Sequence, residues 1–257
     1  DGLGPTHDDV RGVPGNFTKT IKALEQIKDR FGDNQGLICN VATVVTPQAY
    51  DEMEDLAAYV LQKDFCATHF FETVRGNPKD PEVKKITRRQ IEDLHERLLP
   101  YYDKMGERLF ADMDPRARWL ARLYFVGVIR FMFMIQEQNI DGPHDWGMAC
   151  TAGMTTAVID HNGAFRACEM RPPIGNLRDW NCDFSAALNS AAMRSEIAAI
   201  GGGKAANCWC THGCWVLSSL KFTPRTLLAR IPWQYIDFKL KRLPSLDTGG
   251  LDLASIE

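Results

Sequence analysis

Six of the chain's eight cysteines fall between residues 150 and 214, and five of them, Cys150, Cys168, Cys208, Cys210 and Cys214, are candidates for one shared site. Thiolates held at short range pair as disulfides, close a tetrahedral zinc site, or hold an iron–sulfur cluster. The Cys-x-Cys-x3-Cys run at 208–214 favours metal over disulfide. So does the opening Asp1-Gly2-Leu3-Gly4-Pro5, which has neither the basic start nor the apolar run of a secretory signal. A reducing compartment follows as an expectation, most simply the cytoplasm. Cys182 is an outlier in a loop, and Cys39 and Cys66 sit in apolar strand patterns that suit packed core thiols.

Local structure must bring these sulfurs together. Residues 155–168 carry a hairpin signal, two short strands around Asn162-Gly163, a pair that tolerates positive φ. Such a hairpin carries Cys150 and Cys168 toward each other across eighteen residues of sequence. Further ligands are expected from the turn at 208–214, so five candidates compete for four places. Residues 184–199 read as a helix, broken at Gly201-Gly202-Gly203.

The rest of the chain alternates element types. Residues 17–30 have helical spacing, 37–45 are a β-branched run suited to a strand buried on both faces, 47–63 are helical, and 65–74 form the next strand. That order favours a parallel sheet with crossover helices. Long charged helices are expected over 81–106 and 114–139, the second started by Asp114-Pro115. The turn residues at 139–143 mark a boundary near residue 140. The most apolar stretch, 119–135, contains Arg122 and Arg130, costly at a bilayer centre, so no spanning helix is expected.

With 45% hydrophobic and 25% charged residues the composition is that of a packed globular chain. A net charge of -3 advertises no nucleic-acid partner. Residues 221–242 are locally basic, however: Lys221, Arg225, Arg230, Lys239, Lys241 and Arg242 stand against Asp237 alone. Their mixture with aromatics suggests peripheral membrane contact or partner docking, beside the plainer alternative that the segment packs back on the fold.

The spacing Cys150-x12-Gly163-x4-Cys168, followed by Gly175-Asn176-Leu177 and by Cys210-x3-Cys214, resembles the SPASM and shorter twitch domains of radical S-adenosylmethionine enzymes. A second similarity opens the chain, Asp1-Gly2-x4-His7-Asp8-x2-Arg11-Gly12-x2-Gly15-x-Phe17, like the segment after the fourth barrel strand of those enzymes. Asn40-x2-Thr43-Val44-Val45-Thr46 is similar to their fifth strand. The resemblance spans residues 1 to about 215. It departs from the family in lacking the Cys-x3-Cys-x2-Cys motif that binds the cluster cleaving S-adenosylmethionine, and in having too few cysteines for two auxiliary clusters. The resemblance therefore implies a piece of such an enzyme, inactive alone, whose N-terminal part with that motif lies outside this chain.

The implied fold is α/β: the C-terminal part of a partial (β/α)6 TIM-like barrel over 1–80, a helical connector over 81–140, a small α+β auxiliary-cluster domain over 141–220, and a basic tail over 221–257. The implied cofactors are one auxiliary 4Fe-4S cluster here, and S-adenosylmethionine with a second 4Fe-4S cluster in the complete enzyme. The resemblance ranks Cys150, Cys168, Cys210 and Cys214 as ligands, with Cys208 as substitute. It sets Asp1 near the cofactor ribose, Asn40 and Thr43 near the cofactor at the fifth strand, and Arg11 near its charged end. A carboxylate can accept from ribose hydroxyls and a guanidinium can pair with a carboxylate. The implied activity is hydrogen abstraction by a 5'-deoxyadenosyl radical from a peptide, protein or small-molecule substrate, with an electron donor such as flavodoxin or ferredoxin.

Other residues carry alternative readings. His7 backs the site's direct contacts, is catalytic or orders its own turn, and His212 has such a role or merely flanks the cluster. Glu72 faces the site or pairs with Arg75, and Arg166 and Arg171 tune a cluster, bind an acidic substrate group or are solvated. A different class, a noncatalytic zinc-binding interaction module, uses the same thiols.

Overall fold

The computed structural model describes residues 1–32, 36–201 and 208–241. The chain divides into two compact units, Asp1–Glu137 with the chain from Ile231 on, and Gln138–Arg230.

The first unit opens with α1 (Gly4–Arg11) and α2 (Asn16–Phe31). Gly12 and Gly15 take the left-handed turn between them, at φ 66° and 71°. Asp8 closes that turn by accepting from the backbone N–H of Gly15 at 2.5 Å and of Phe17 at 2.7 Å, which satisfies donors a helix start leaves open. Strands β1 (Asn40–Val45) and β2 (Thr68–Thr73) pair in parallel, with Asn40 opposite Thr68 and Val45 opposite Thr73. A parallel pair needs a crossover, supplied by a 3-10 turn at Pro47–Glu52 leading into α3 (Met53–Lys63).

The sequence pattern merges these two pieces into one helix; Pro47 starts the tighter turn and α-helical bonding begins only at Met53. The strand expected from residue 37 begins at Asn40. It is not buried on both faces, because Thr43 and Val45 are buried while Asn40 and Ala42 are exposed.

The helix expected over 81–106 starts at Arg88, as α4 (Arg88–Leu109). Thr87 and Gln90 form a capping box there, whereas Pro81–Lys84 is a separate 3-10 turn. Helix α5 (Pro115–Asn139) starts where Asp114-Pro115 predicts, Asp114 accepting from Arg116 N–H at 3.0 Å. By length and composition α5 could cross a membrane, and half of its most apolar window is buried inside the protein. Arg122 pairs with Asp103 at 2.8 Å and Arg130 with Glu137 at 3.0 Å.

The second unit is built on a three-stranded antiparallel sheet, β3 (Val158–Ile159), β4 (Ala164–Arg166) and β5 (Gly175–Asn176). Gly163 makes the hairpin turn at φ 86°, where a Cβ would run into the Arg178 and Asn176 side chains. The helix expected over 184–199 is two, α6 (Phe184–Leu188) and α7 (Ala191–Ile200), because Ser190 caps the second by accepting from Met193 N–H at 3.1 Å. Helix α8 (Gly213–Leu220) follows the last cysteines. Trp146, Phe165, Ala167 and Met193 are fully buried at the centre of this unit.

A π turn at Thr226–Arg230 ends the second unit, and α9 (Ile231–Leu240) belongs to the first. Of the basic segment, Ile231 and Phe238 are buried, Lys239 pairs with Asp103 at 2.6 Å and Lys241 with Glu96 at 2.8 Å. Arg242, the tail beyond it, and the expected break at Gly202 and Gly203 lie outside the described residues. The fold is mixed α/β and mostly helical, and among the described residues the strands close no barrel.

Candidate functional site

In the second unit the hairpin delivers Cys168 two residues past the end of β4, where it is buried, as is Cys150. The Cys168 sulfur accepts from Met170 N–H at 3.4 Å and lies 3.6 Å from the Glu169 carboxylate. Burial first, then the nearby Glu169 charge and the Cys210 thiol, push the Cys168 thiol up to about 12. Burial likewise raises Cys150, and the neighbouring Cys208 thiol adds to it. Cys208 and Cys210, in the irregular backbone before α8, are half-buried. Cys214 is exposed on the first turn of α8.

Packing fixes the turn that carries Cys210. Its carbonyl accepts from the Trp146 indole N–H at 3.0 Å, and its sulfur from His212 N–H at 3.4 Å. Glu169 ties the same turn to the hairpin: one carboxylate oxygen accepts from the Trp215 indole N–H at 3.0 Å, and the other pairs with His212 Nε2. Burial alone would raise Glu169, but its own backbone N–H, the Trp215 indole and the His212 ring hold its carboxyl below the usual range. Among the described residues no three His, Cys, Asp or Glu side chains stand close enough to hold a metal ion.

Arg171 forms a 2.5 Å ion pair with Glu196. Arg166 is structural, bound to Asp160 at 2.7 Å and to the Arg171 carbonyl at 2.8 Å. Cys182 is exposed, Cys66 is buried and pushed up to about 11 mainly by burial, and Cys39 is half-buried.

In the first unit, Asp1, Arg11 and Thr43 line one cavity of about 190 Å³, with His7 beside them and Phe17, Ile21 and Leu56 among its apolar walls. The Asp1 carboxylate takes Arg11 Nε at 2.7 Å on one oxygen and Val44 N–H at 2.8 Å on the other. Thr43 Oγ1 lies 2.9 Å from Nε2 of the fully buried His69, whose imidazole is held down at about 3, chiefly by burial. His7 bonds Asn16 at 3.1 Å and packs edge-on against Phe17, so it orders its own turn. Asn40 does not line this cavity; it is exposed and accepts from the Thr68 hydroxyl at 2.5 Å.

No protein-family model, curated protein or solved structure matches the chain. The site therefore rests on its own geometry.

Two polar groups escaped the sequence reading. Glu169 is one, since its partners lie 43 and 46 residues away. The other is the buried set His95, Glu137 and Arg130: His95 stacks on Phe133 at 3.8 Å and bonds Glu137 at 2.9 Å, and Glu137 also takes Arg130. Glu72 pairs with Arg75 at 2.8 Å.

Proposed function

We propose that this chain is part of a radical S-adenosylmethionine enzyme, with an auxiliary iron–sulfur site in the second unit and part of the S-adenosylmethionine pocket in the first. The observation that carries the reading is that Glu169, beside Cys168 on the hairpin, is bound to His212 and Trp215, which ties the turn bearing Cys208, Cys210 and Cys214 to the hairpin. In number and type the five cysteines suffice for a cluster held by four thiolates, while among the described residues no three His, Cys, Asp or Glu side chains stand close enough to hold a metal ion. Cys150, Cys168, Cys210 and Cys214, with Cys208 as substitute, would hold the cluster, which when bound supplies one-electron transfer.

The chain's own residues do the remaining work. Burial keeps the Cys150 and Cys168 thiols protonated, so metal uptake must release protons. Glu169 holds the second thiol-bearing turn on the hairpin. In the first unit the Asp1 carboxylate is fixed by Val44 and Arg11, and the half-exposed Arg11 keeps donors for an anionic group such as the carboxylate of S-adenosylmethionine. The crossover from β1 to β2 supports the partial-barrel reading, as parallel strands joined by a helix are the unit of such barrels.

The substrate class proposed first is a peptide or protein, then a small molecule, with a flavodoxin- or ferredoxin-like electron donor in the cytoplasm. Peripheral membrane contact through 221–242 is an additional proposal. The test is electron paramagnetic resonance of the chain after anaerobic supply of ferrous iron and sulfide and then reduction. A reduced-cluster signal is expected, whereas a silent, colourless chain with about one bound zinc supports the interaction module instead.

A further inference from the structure

Resting on the reading of the first unit's cavity as part of the S-adenosylmethionine pocket, we infer that His69 is a positioning residue of that cavity. It turns the Thr43 hydroxyl into a donor, which together with Arg11 selects the carboxylate end of the ligand. A hydroxyl can give or receive a hydrogen bond, so Thr43 alone does not choose between a donor and an acceptor. Its partner makes the choice.

Among the described residues Thr43 Oγ1 bonds only Nε2 of His69, at 2.9 Å, and both side chains are buried. The other ring nitrogen, Nδ1, is equally shut from solvent and has no hydrogen-bond partner among those residues. Phe71 packs on the ring, with the centroids 4.3 Å apart. Burial keeps the imidazole neutral, at about 3, so it carries one hydrogen on one of its nitrogens. A buried N–H without an acceptor is the costlier orphan, and an unfilled lone pair is tolerated more often. The hydrogen therefore sits on Nε2 and is donated to Thr43 Oγ1. Thr43 then keeps its own hydrogen for the cavity it lines. Arg11 lines the same cavity, and its Nε is tied to Asp1 at 2.7 Å, which leaves its two terminal nitrogens as donors. The Asp1 carboxylate is engaged by Arg11 and by Val44 N–H, and His7 by Asn16. A carboxylate can accept from both Thr43 and Arg11, with the apolar part of the ligand against Phe17, Ile21 and Leu56. A ligand amine would meet two donors.

Two measurements on the full chain test this. Long-range NMR correlation of the His69 ring protons and nitrogens reads the tautomer at neutral pH; hydrogen on Nε2 is expected, and hydrogen on Nδ1 overturns the inference. Calorimetry then compares S-adenosylmethionine with its decarboxylated analogue. Thr43→Val keeps the shape and removes the hydroxyl, so it should weaken S-adenosylmethionine about tenfold and leave the analogue unchanged. Thr43→Ser should bind both as the wild type does. His69→Leu should follow Thr43→Val, whereas His69→Gln, which can still donate to Thr43, should recover most of the affinity; circular dichroism checks that each variant folds. Equal weakening of both ligands, as a merely structural role would give, or no weakening of S-adenosylmethionine, overturns the inference. If the wild-type chain binds neither, butyrate replaces them as a bare carboxylate on an apolar body. Butyrate binding that is lost in Thr43→Val refutes the cofactor reading and upholds the inference. No butyrate binding, or binding indifferent to Thr43, overturns both.

Discussion

The cavity of the first unit and the thiol cluster of the second solve opposite problems. In the cavity the polar groups are already held: Asp1 by Arg11 and Val44, and Thr43 by His69. Around the thiols the order comes from groups beside the sulfurs, Glu169, His212, Trp215 and Trp146. A preformed polar pocket suits a ligand that arrives whole, and a scaffolded set of thiols suits a metal whose uptake couples to deprotonation.

The sharpest way to break this contrast is to remove the scaffold of the second unit alone. Phe165 is fully buried against Trp180 and Phe184, so Phe165→Ala should cost about 3–5 kcal/mol. Hydrogen exchange should then lose protection over 138–230 while 1–137 keeps its own; equal loss in both would mean that they unfold as one.

Acid should act on the first unit through His69. Its imidazole falls from the ordinary 6.5 to about 3 on burial, so the unfolded chain binds the proton first. The stabilisation is present above about pH 6.5 and is lost as pH falls toward 3. Urea midpoints followed in the first unit should fall over that range, and His69→Gln should flatten the slope; an unchanged slope would remove His69 as the cause.

A smaller effect is expected at the latch. Glu169→Ala leaves the Trp215 indole and His212 without their carboxylate, a loss of about 1–3 kcal/mol, and it should speed alkylation of Cys210 while leaving the first unit untouched. Unaltered Cys210 reactivity would mean that Glu169 does not hold the turn.

The least effect belongs to Arg11→Ala. Its ion pair with Asp1 has one half-exposed partner, so the change should cost about 0–1 kcal/mol. Its signature is weaker binding of S-adenosylmethionine in calorimetry, and equal binding by both forms would detach Arg11 from the cofactor.

The parts of this contrast written in local sequence were legible. Asn162-Gly163 announced the hairpin and Asp114-Pro115 the start of α5, because each depends on neighbours in the chain. The Thr87–Gln90 capping box and the Ser190 cap were equally local, and attention to them would have placed the breaks in the long helices correctly. What could not be read was rotation and long-range pairing. The spacing Cys210-x3-Cys214 does not say which side of α8 packs inward, and nothing near Cys168 reveals that its neighbour Glu169 meets His212 and Trp215. Asn40 illustrates the same limit, since it is exposed at the start of β1 and bound to Thr68, outside the cavity that Thr43 lines. Strand β5 is two residues long, too short for any periodicity to mark it.

The most direct measurement is iron and acid-labile sulfide content of the intact chain after anaerobic reconstitution, with a Cys150→Ala/Cys168→Ala chain beside it. The account predicts about four of each per wild-type chain and almost none in the double variant. No iron in the wild type, or equal iron in both, would contradict it.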